Sequence, residues 1–232
     1  MNPVINQNLF RHQDTASAGI NNLCTVIHQL KTEGVFLGEV IHGKRLLGTF
    51  QLQYQKSFDE SQVNVDLSRF DDLLRANDLE NGYGPQLELG QEGYVVFFAT
   101  GHHDGLYVKL TRIDIEKPVL SFDSRKLTDG DMVVLRLWHP GLYTLTNDLG
   151  KQKASLKVVG AVDGKFRNPA KLDPSKATLT ERGFEPDYLE KSATQALVVE
   201  IKAPASLTLK RILEDKAPSQ PPTKQPPKRG KK

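Results

Sequence analysis

The residues of this 232-residue chain best suited to chemistry are its histidines. His102 and His103, followed by Asp104, lie in a turn flanked by Gly101 and Gly105. Neutral imidazoles beside a carboxylate are donors that suit zinc, copper or nickel. Adjacent residues on a strand point to opposite faces, however, and a polar loop tip accounts for the trio equally well. His139, between Trp138 and Pro140, is a fourth candidate, as metal ligand, acid or base; a Trp-His-Pro-Gly turn that closes a core explains it too. No metal site and no cofactor are therefore expected. His12, His28 and His42 show no metal-ligand spacing with one another. The chain carries no Gly-x-Ser-x-Gly elbow, phosphate-binding glycine loop, His-Glu-x-x-His or dinucleotide fingerprint, so no catalytic residue is assigned and an enzyme is not expected. The single cysteine, Cys24, permits no intrachain disulfide and reads as a small packed residue rather than a reactive thiol.

Charge separates the last segment from the rest. The formal net charge is +3, yet Lys216, Lys224, Lys228, Arg229, Lys231 and Lys232 share the final seventeen residues with no acid, which leaves 25 bases against 28 acids elsewhere. Five prolines among Ser, Gln, Thr, Lys and Gly give this tail nothing to bury, so an extended, polyproline-like, disordered terminus is expected. Lys224, Lys228, Arg229, Lys231 and Lys232 are its partner-binding candidates, toward nucleic acid or an acidic protein surface. A solubilising terminus with no dedicated partner is the plain alternative.

The elements that must position these groups are mostly strands. Ile20, Leu23, Ile27 and Leu30 fall at spacings of three and four behind Asp14 or Thr15, which predicts an N-terminal amphipathic helix ending near Gly34. From Gly34 the period becomes two. Val35 to Ile41 and Leu46 to Gln55 flank His42-Gly43-Lys44 as a hairpin, and Gln62 to Leu67 follows as a strand. Ser68 to Leu79 reads as a short helix or folded connection. Tyr94 to Thr100, Leu106 to Ile113, Val119 to Phe122, Met132 to Trp138, Tyr143 to Thr146 and Ser155 to Val159 are short, β-branched or aromatic, and bounded by turn residues. Gly160 to Leu189, dotted with Pro and Gly, reads as a loop; Ala196 to Ile201 is a strand, and Leu207 to Leu213 a strand or short helix. No internal repeat is visible, because the two hairpin-rich halves differ in length and turn chemistry.

Three ordered fragments between about Tyr83 and Val159 resemble a cupredoxin-type sandwich. They are Gly82-Tyr83-Gly84-Pro85-Gln86-Leu87-Glu88-Leu89 leading into Gly93-Tyr94-Val95-Val96-Phe97-Phe98; Leu127-Thr128-Asp129-Gly130-Asp131 before Met132 to Trp138; and Pro140-Gly141-Leu142-Tyr143-Thr144-Leu145. The resemblance implies a mainly β, Greek-key sandwich in which Gly141 turns the chain and Tyr143 puts its ring in the core. In a copper-binding member a cysteine, a histidine and usually a methionine follow. Here the cysteine's place falls at about Asn147, and Asp148 to Lys153 hold neither His nor Met, while His103 sits near the upstream histidine's place. The resemblance thus implies the fold and argues against type-1 copper.

The expected organisation is an N-terminal segment and helix over residues 1–33, a β-sandwich domain over 34–215 and the basic tail over 216–232. The expected function is a non-catalytic structural or protein-interaction protein that associates with a partner or with itself. Alternatives are a metal-binding or redox protein using His102, His103, Asp104 and His139, and a nucleic-acid binder acting through the tail. With no signal-peptide pattern and no membrane-length apolar run, a soluble, cytoplasmic protein is expected.

Overall fold

The computed structural model describes residues 14–70, 84–100, 105–160, 172–193 and 195–213. These are mainly β. Seventeen strands follow one another: β1 (Thr15–Ala16), β2 (Cys24–Gln29), β3 (Gly34–His42), β4 (Arg45–Tyr54), β5 (Gln62–Asp66), β6 (Gln86–Leu89), β7 (Tyr94–Phe98), β8 (Leu106–Arg112), β9 (Val119–Asp123), β10 (Met132–Arg136), β11 (Gly141–Asn147), β12 (Lys153–Val159), β13 (Ser175–Thr180), β14 (Gly183–Glu185), β15 (Tyr188–Ser192), β16 (Ala196–Ile201) and β17 (Leu207–Leu213). No helix among the described residues is long and apolar enough to cross a membrane.

Three sheets result. Their orders are β1-β17-β11-β12-β15, β14-β13-β16-β10-β2-β7-β5 and β6-β4-β3-β8-β9. The alternating side chains of each sheet feed one apolar core, in which Phe36, Phe50, Phe97, Leu110, Tyr143, Leu156 and Val199 are almost fully buried. Burial of this kind contributes about 25 cal/mol for each Å² of apolar surface removed from water.

The expected N-terminal helix is absent, replaced by β1 and β2. Residues Cys24 to Gln29 alternate between buried and half-buried, and Thr25, Val26 and Ile27 are β-branched, which favours a pleated strand over a helix. Ile27, which the helical spacing places on the apolar face, is only half-buried, whereas Val26 is fully buried. The side chain of Asn21 accepts the amides of Leu23 and Cys24 at 2.9 and 3.1 Å, a turn that leads straight into β2. Asp14 caps nothing; its carboxylate accepts the Arg211 amide at 3.2 Å. Gly160 to Leu189 also departs from its reading as a loop, because it contains β13, β14 and the start of β15. Its strands are too short to show periodicity, and β13 and β15 pair in parallel with β16 and β12, partners that no local turn announces. Most of Ser68 to Leu79, and the tail, lie outside the described residues.

The pairing pattern occurs twice. β2 pairs antiparallel with β7, and β7 pairs in parallel with β5; β10 pairs antiparallel with β16, and β16 pairs in parallel with β13. The hairpin β3–β4, with β6 parallel to β4 and β8 antiparallel to β3, is matched by β11–β12 with β15 and β17. Even the bridges correspond, Ile20 to Leu106 and Leu127 to Ala205. Positions keep step from Ser17 and Ser124 through Val26 and Val133 to Gly34 and Gly141. The first strand of each set joins the last strand of the other: β1 pairs with β17, and β9 pairs with β8. Strands β2 and β10 then pair antiparallel at the centre, with Val26 opposite Val133.

Candidate functional site

Several sequence candidates fall outside the described residues: His102, His103 and Asp104, and the tail bases Lys224, Lys228, Arg229, Lys231 and Lys232. His139 is described. It sits in the turn between β10 and β11, where its carbonyl accepts the Tyr143 hydroxyl at 2.9 Å. Gly141, at φ 148°, starts the next strand in a conformation that side chains resist. Tyr143 is buried in the core, and that burial pushes its phenol above the ordinary value. Among the described residues no three metal-donor side chains come together. At Asn147, the place of the copper family's cysteine, the amide is fully buried and donates to Gln152 and to the Pro204 carbonyl at 2.9 and 3.1 Å. Its oxygen accepts the amides of Leu149 and Ser206 at 3.2 and 3.0 Å.

Chemistry gathers elsewhere, at one end of the β2–β10 seam. His28 is the fifth residue of β2 and Asp131 immediately precedes β10, so the ladder that sets Met132 opposite Ile27 brings the two side chains together. Nδ1 of His28 lies 2.6 Å from a carboxylate oxygen of Asp131. The other oxygen accepts the Thr128 amide at 2.7 Å, which closes the Leu-x-x-Gly-Asp turn. Both side chains are buried, His28 at 8% and Asp131 at 2% exposure. The imidazole stacks on Phe122 with ring centroids 4.1 Å apart. A carboxylate on Nδ1 holds the proton there, so a neutral ring presents the Nε2 lone pair outward, as an acceptor or base.

A cleft of about 330 Å³ opens beside this pair. It is lined by residues from both strand sets, among them His28, Lys31, Phe36, Ile115, Val119 and Ser121. Ser121 owes its place to a bulge: Phe122 pairs with Leu110 and Leu120 with Thr111, so Ser121 has no partner across the ladder. Such a bulge redirects a side chain out of the regular alternation.

Sequence reasoning missed this site. His28 was one of three unrelated histidines and Asp131 part of a turn motif, separated by 103 positions. The one local sign was a histidine at an inward position, in line with Cys24 and Val26, visible only once β2 is read as a strand. Comparison with protein-family models, with curated proteins and with solved structures finds no match, so the reading rests on the chain's own residues.

Proposed function

We propose that this chain is a non-catalytic structural or protein-interaction protein, built from Greek-key sandwiches of cupredoxin-like type without copper, that associates with a second copy of itself. The doubled pairing pattern and the Pro-Gly-x-Tyr turn around Gly141 and Tyr143 support the sandwich reading. Asn147 supports the metal-free one, since its four hydrogen bonds do the structural work of that loop.

The observation that carries association is β9. It ends its sheet, with β8 on one side and, among the described residues, no strand on the other. Val119 and Leu120 on it are 53% and 56% exposed, next to exposed Ile115. An apolar edge strand offers unpaired backbone donors and acceptors to another strand, and antiparallel pairing of two β9 copies closes as a two-fold dimer. The chain already uses an antiparallel, two-fold arrangement internally at β2 and β10. Light scattering across concentration tests the reading: the whole chain is expected to dimerise, Leu120→Lys to run as a monomer with an unchanged circular dichroism spectrum, and removal of residues 216–232 to leave the dimer intact. A strict monomer at about millimolar concentration overturns it; loss of the dimer on removing the tail transfers the role to the tail.

A further inference from the structure

The two ends of the β2–β10 seam are equivalent by position but not by chemistry. Counting in step from Val26 and Val133, His28 corresponds to Leu135 and Asp131 to Cys24. Leu135 and Cys24 face each other in the ladder and are both buried, an apolar pair. The same two places at the other end hold a buried acid and base, and a cleft opens there. A fold that closes this junction with leucine and cysteine has no structural need for histidine and aspartate. Buried polar pairs are retained at a cost in desolvation.

The groups facing the cleft define what fits it. Nε2 of His28 and the hydroxyl of Ser121 have no hydrogen-bond partner among the described residues. Arg112 is committed to Asp114 through two bonds of 2.7 and 3.2 Å, and Asp129 faces Lys202 at 3.6 Å. Lys31, which donates to the Asp129 carbonyl at 3.1 Å, has no carboxylate partner among the described residues, so the unbalanced charge of the lining is positive. Leu30, Phe36, Ile115 and Val119 line the same cleft. Apolar walls with a few convergent polar groups, at this volume, are the anatomy of a small-molecule site.

We infer that the cleft binds a small amphipathic carboxylic acid, aromatic or branched aliphatic. The carboxyl group accepts from Lys31 and Ser121 and shares a proton with Nε2 of His28, so that no two acceptors face each other, and its apolar body lies on Phe36, Ile115 and Val119. The site shares Ile115, Val119 and Ser121 with the β9 edge proposed for association, so binding is measured in the Leu120→Lys background, where that edge no longer pairs.

Benzoate is the probe, followed by NMR of the whole chain labelled at histidine and isoleucine. Saturable shifts at His28 and Ile115, at about millimolar affinity for so small a ligand, are expected. Benzamidine, of the same shape and opposite charge, is expected to give none. Ile115→Asp and Lys31→Glu are surface changes that leave the fold intact, and each is expected to weaken benzoate about tenfold. Leu149→Asp, on an exposed turn elsewhere, leaves it unchanged. Absence of saturation up to about ten times the expected Kd, equal binding of benzamidine, or indifference to both cleft variants would each overturn the inference.

Discussion

Val26 and Val133 face each other across the central ladder, and each follows at the same interval a serine whose hydroxyl accepts a backbone amide. Ser17 Oγ accepts from Leu207 at 3.0 Å and Ser124 Oγ from Val108 at 3.1 Å. Both serines are buried, and each ties the first strand of one set to the last strand of the other. Ser17→Ala and Ser124→Ala each strand a buried N–H, so each is expected to destabilise by about 1–3 kcal/mol. The two hydroxyls share no hydrogen-bond partner, and their effects are expected to add within about 0.5 kcal/mol. Urea denaturation of the two single variants and the double one checks this; markedly unequal losses would mean that the two strand exchanges do not carry equal weight.

The second pair of equivalent places exchanges volume. Gly38 lies opposite Phe50 on β3 and β4, while Leu145 lies opposite Ala154 at the matching register of β11 and β12. A Cβ on Gly38 would intrude into the Phe50 ring, which is fully buried and cannot retreat. Gly38→Ala is therefore expected to destabilise by roughly 1–3 kcal/mol or more through overpacking. Phe50→Ala alone leaves a cavity worth about 3–5 kcal/mol. Gly38→Leu combined with Phe50→Ala copies the other set's solution and is expected to recover part of that loss, a coupling that a thermodynamic cycle of the four proteins would measure.

That exchange also explains what the sequence hid. The hairpin of β3 and β4 was legible because both strands alternate around His42-Gly43-Lys44, a local signal. The doubled architecture was not, since what persists between the sets is register rather than residue identity: glycine and phenylalanine in one, leucine and alanine in the other. The N-terminal segment misled because Ile20, Leu23, Ile27 and Leu30 happen to fall at helical spacing, while the alternation of Cys24, Val26 and His28 hides a polar residue at an inward place. The candidate site was illegible for the same reason. Asp131 meets His28 only through the β2–β10 ladder, and nothing in either local stretch names the other.

The His28–Asp131 pair makes its own prediction for stability. Asp131→Ala removes the acceptor of both the imidazole and the Thr128 amide in a buried place, and is expected to cost about 3–5 kcal/mol. His28→Leu leaves the carboxylate buried with fewer donors and is expected to be comparably harmful. Replacing both, as His28→Leu with Asp131→Cys, copies the apolar pair of Leu135 and Cys24. The double variant is expected to be more stable than either single one, by about 1–3 kcal/mol, in chemical denaturation. Losses of His28→Leu and of Asp131→Cys alone that add up to the loss in the double variant would show that the two side chains do not act as a unit.

Lys191 supplies the pH dependence. It lies on β15 beside Val158 of β12, only 2% exposed, and its ammonium donates to the neighbouring Ser192 carbonyl at 2.8 Å. The described residues give it no carboxylate. Burial pushes its pKa down from 10.5 to about 8. In the unfolded chain the amine keeps its proton to higher pH than in the folded one. Stability from this group therefore rises with pH between about 8 and 10.5, and below that window the folded state carries a constant penalty on the order of 3 kcal/mol. Lys191→Met keeps the length of the side chain and removes the charge, so it is expected to stabilise the protein at pH 7 by about 1–3 kcal/mol. Its advantage over the parent should shrink toward zero as the pH is raised to about 10.5, and comparing the two proteins cancels the titration of every other group. Urea melts of both at pH 7, 8.5 and 10 provide the measurement, and a difference that does not change with pH would show that the Lys191 ammonium is solvated in the folded state.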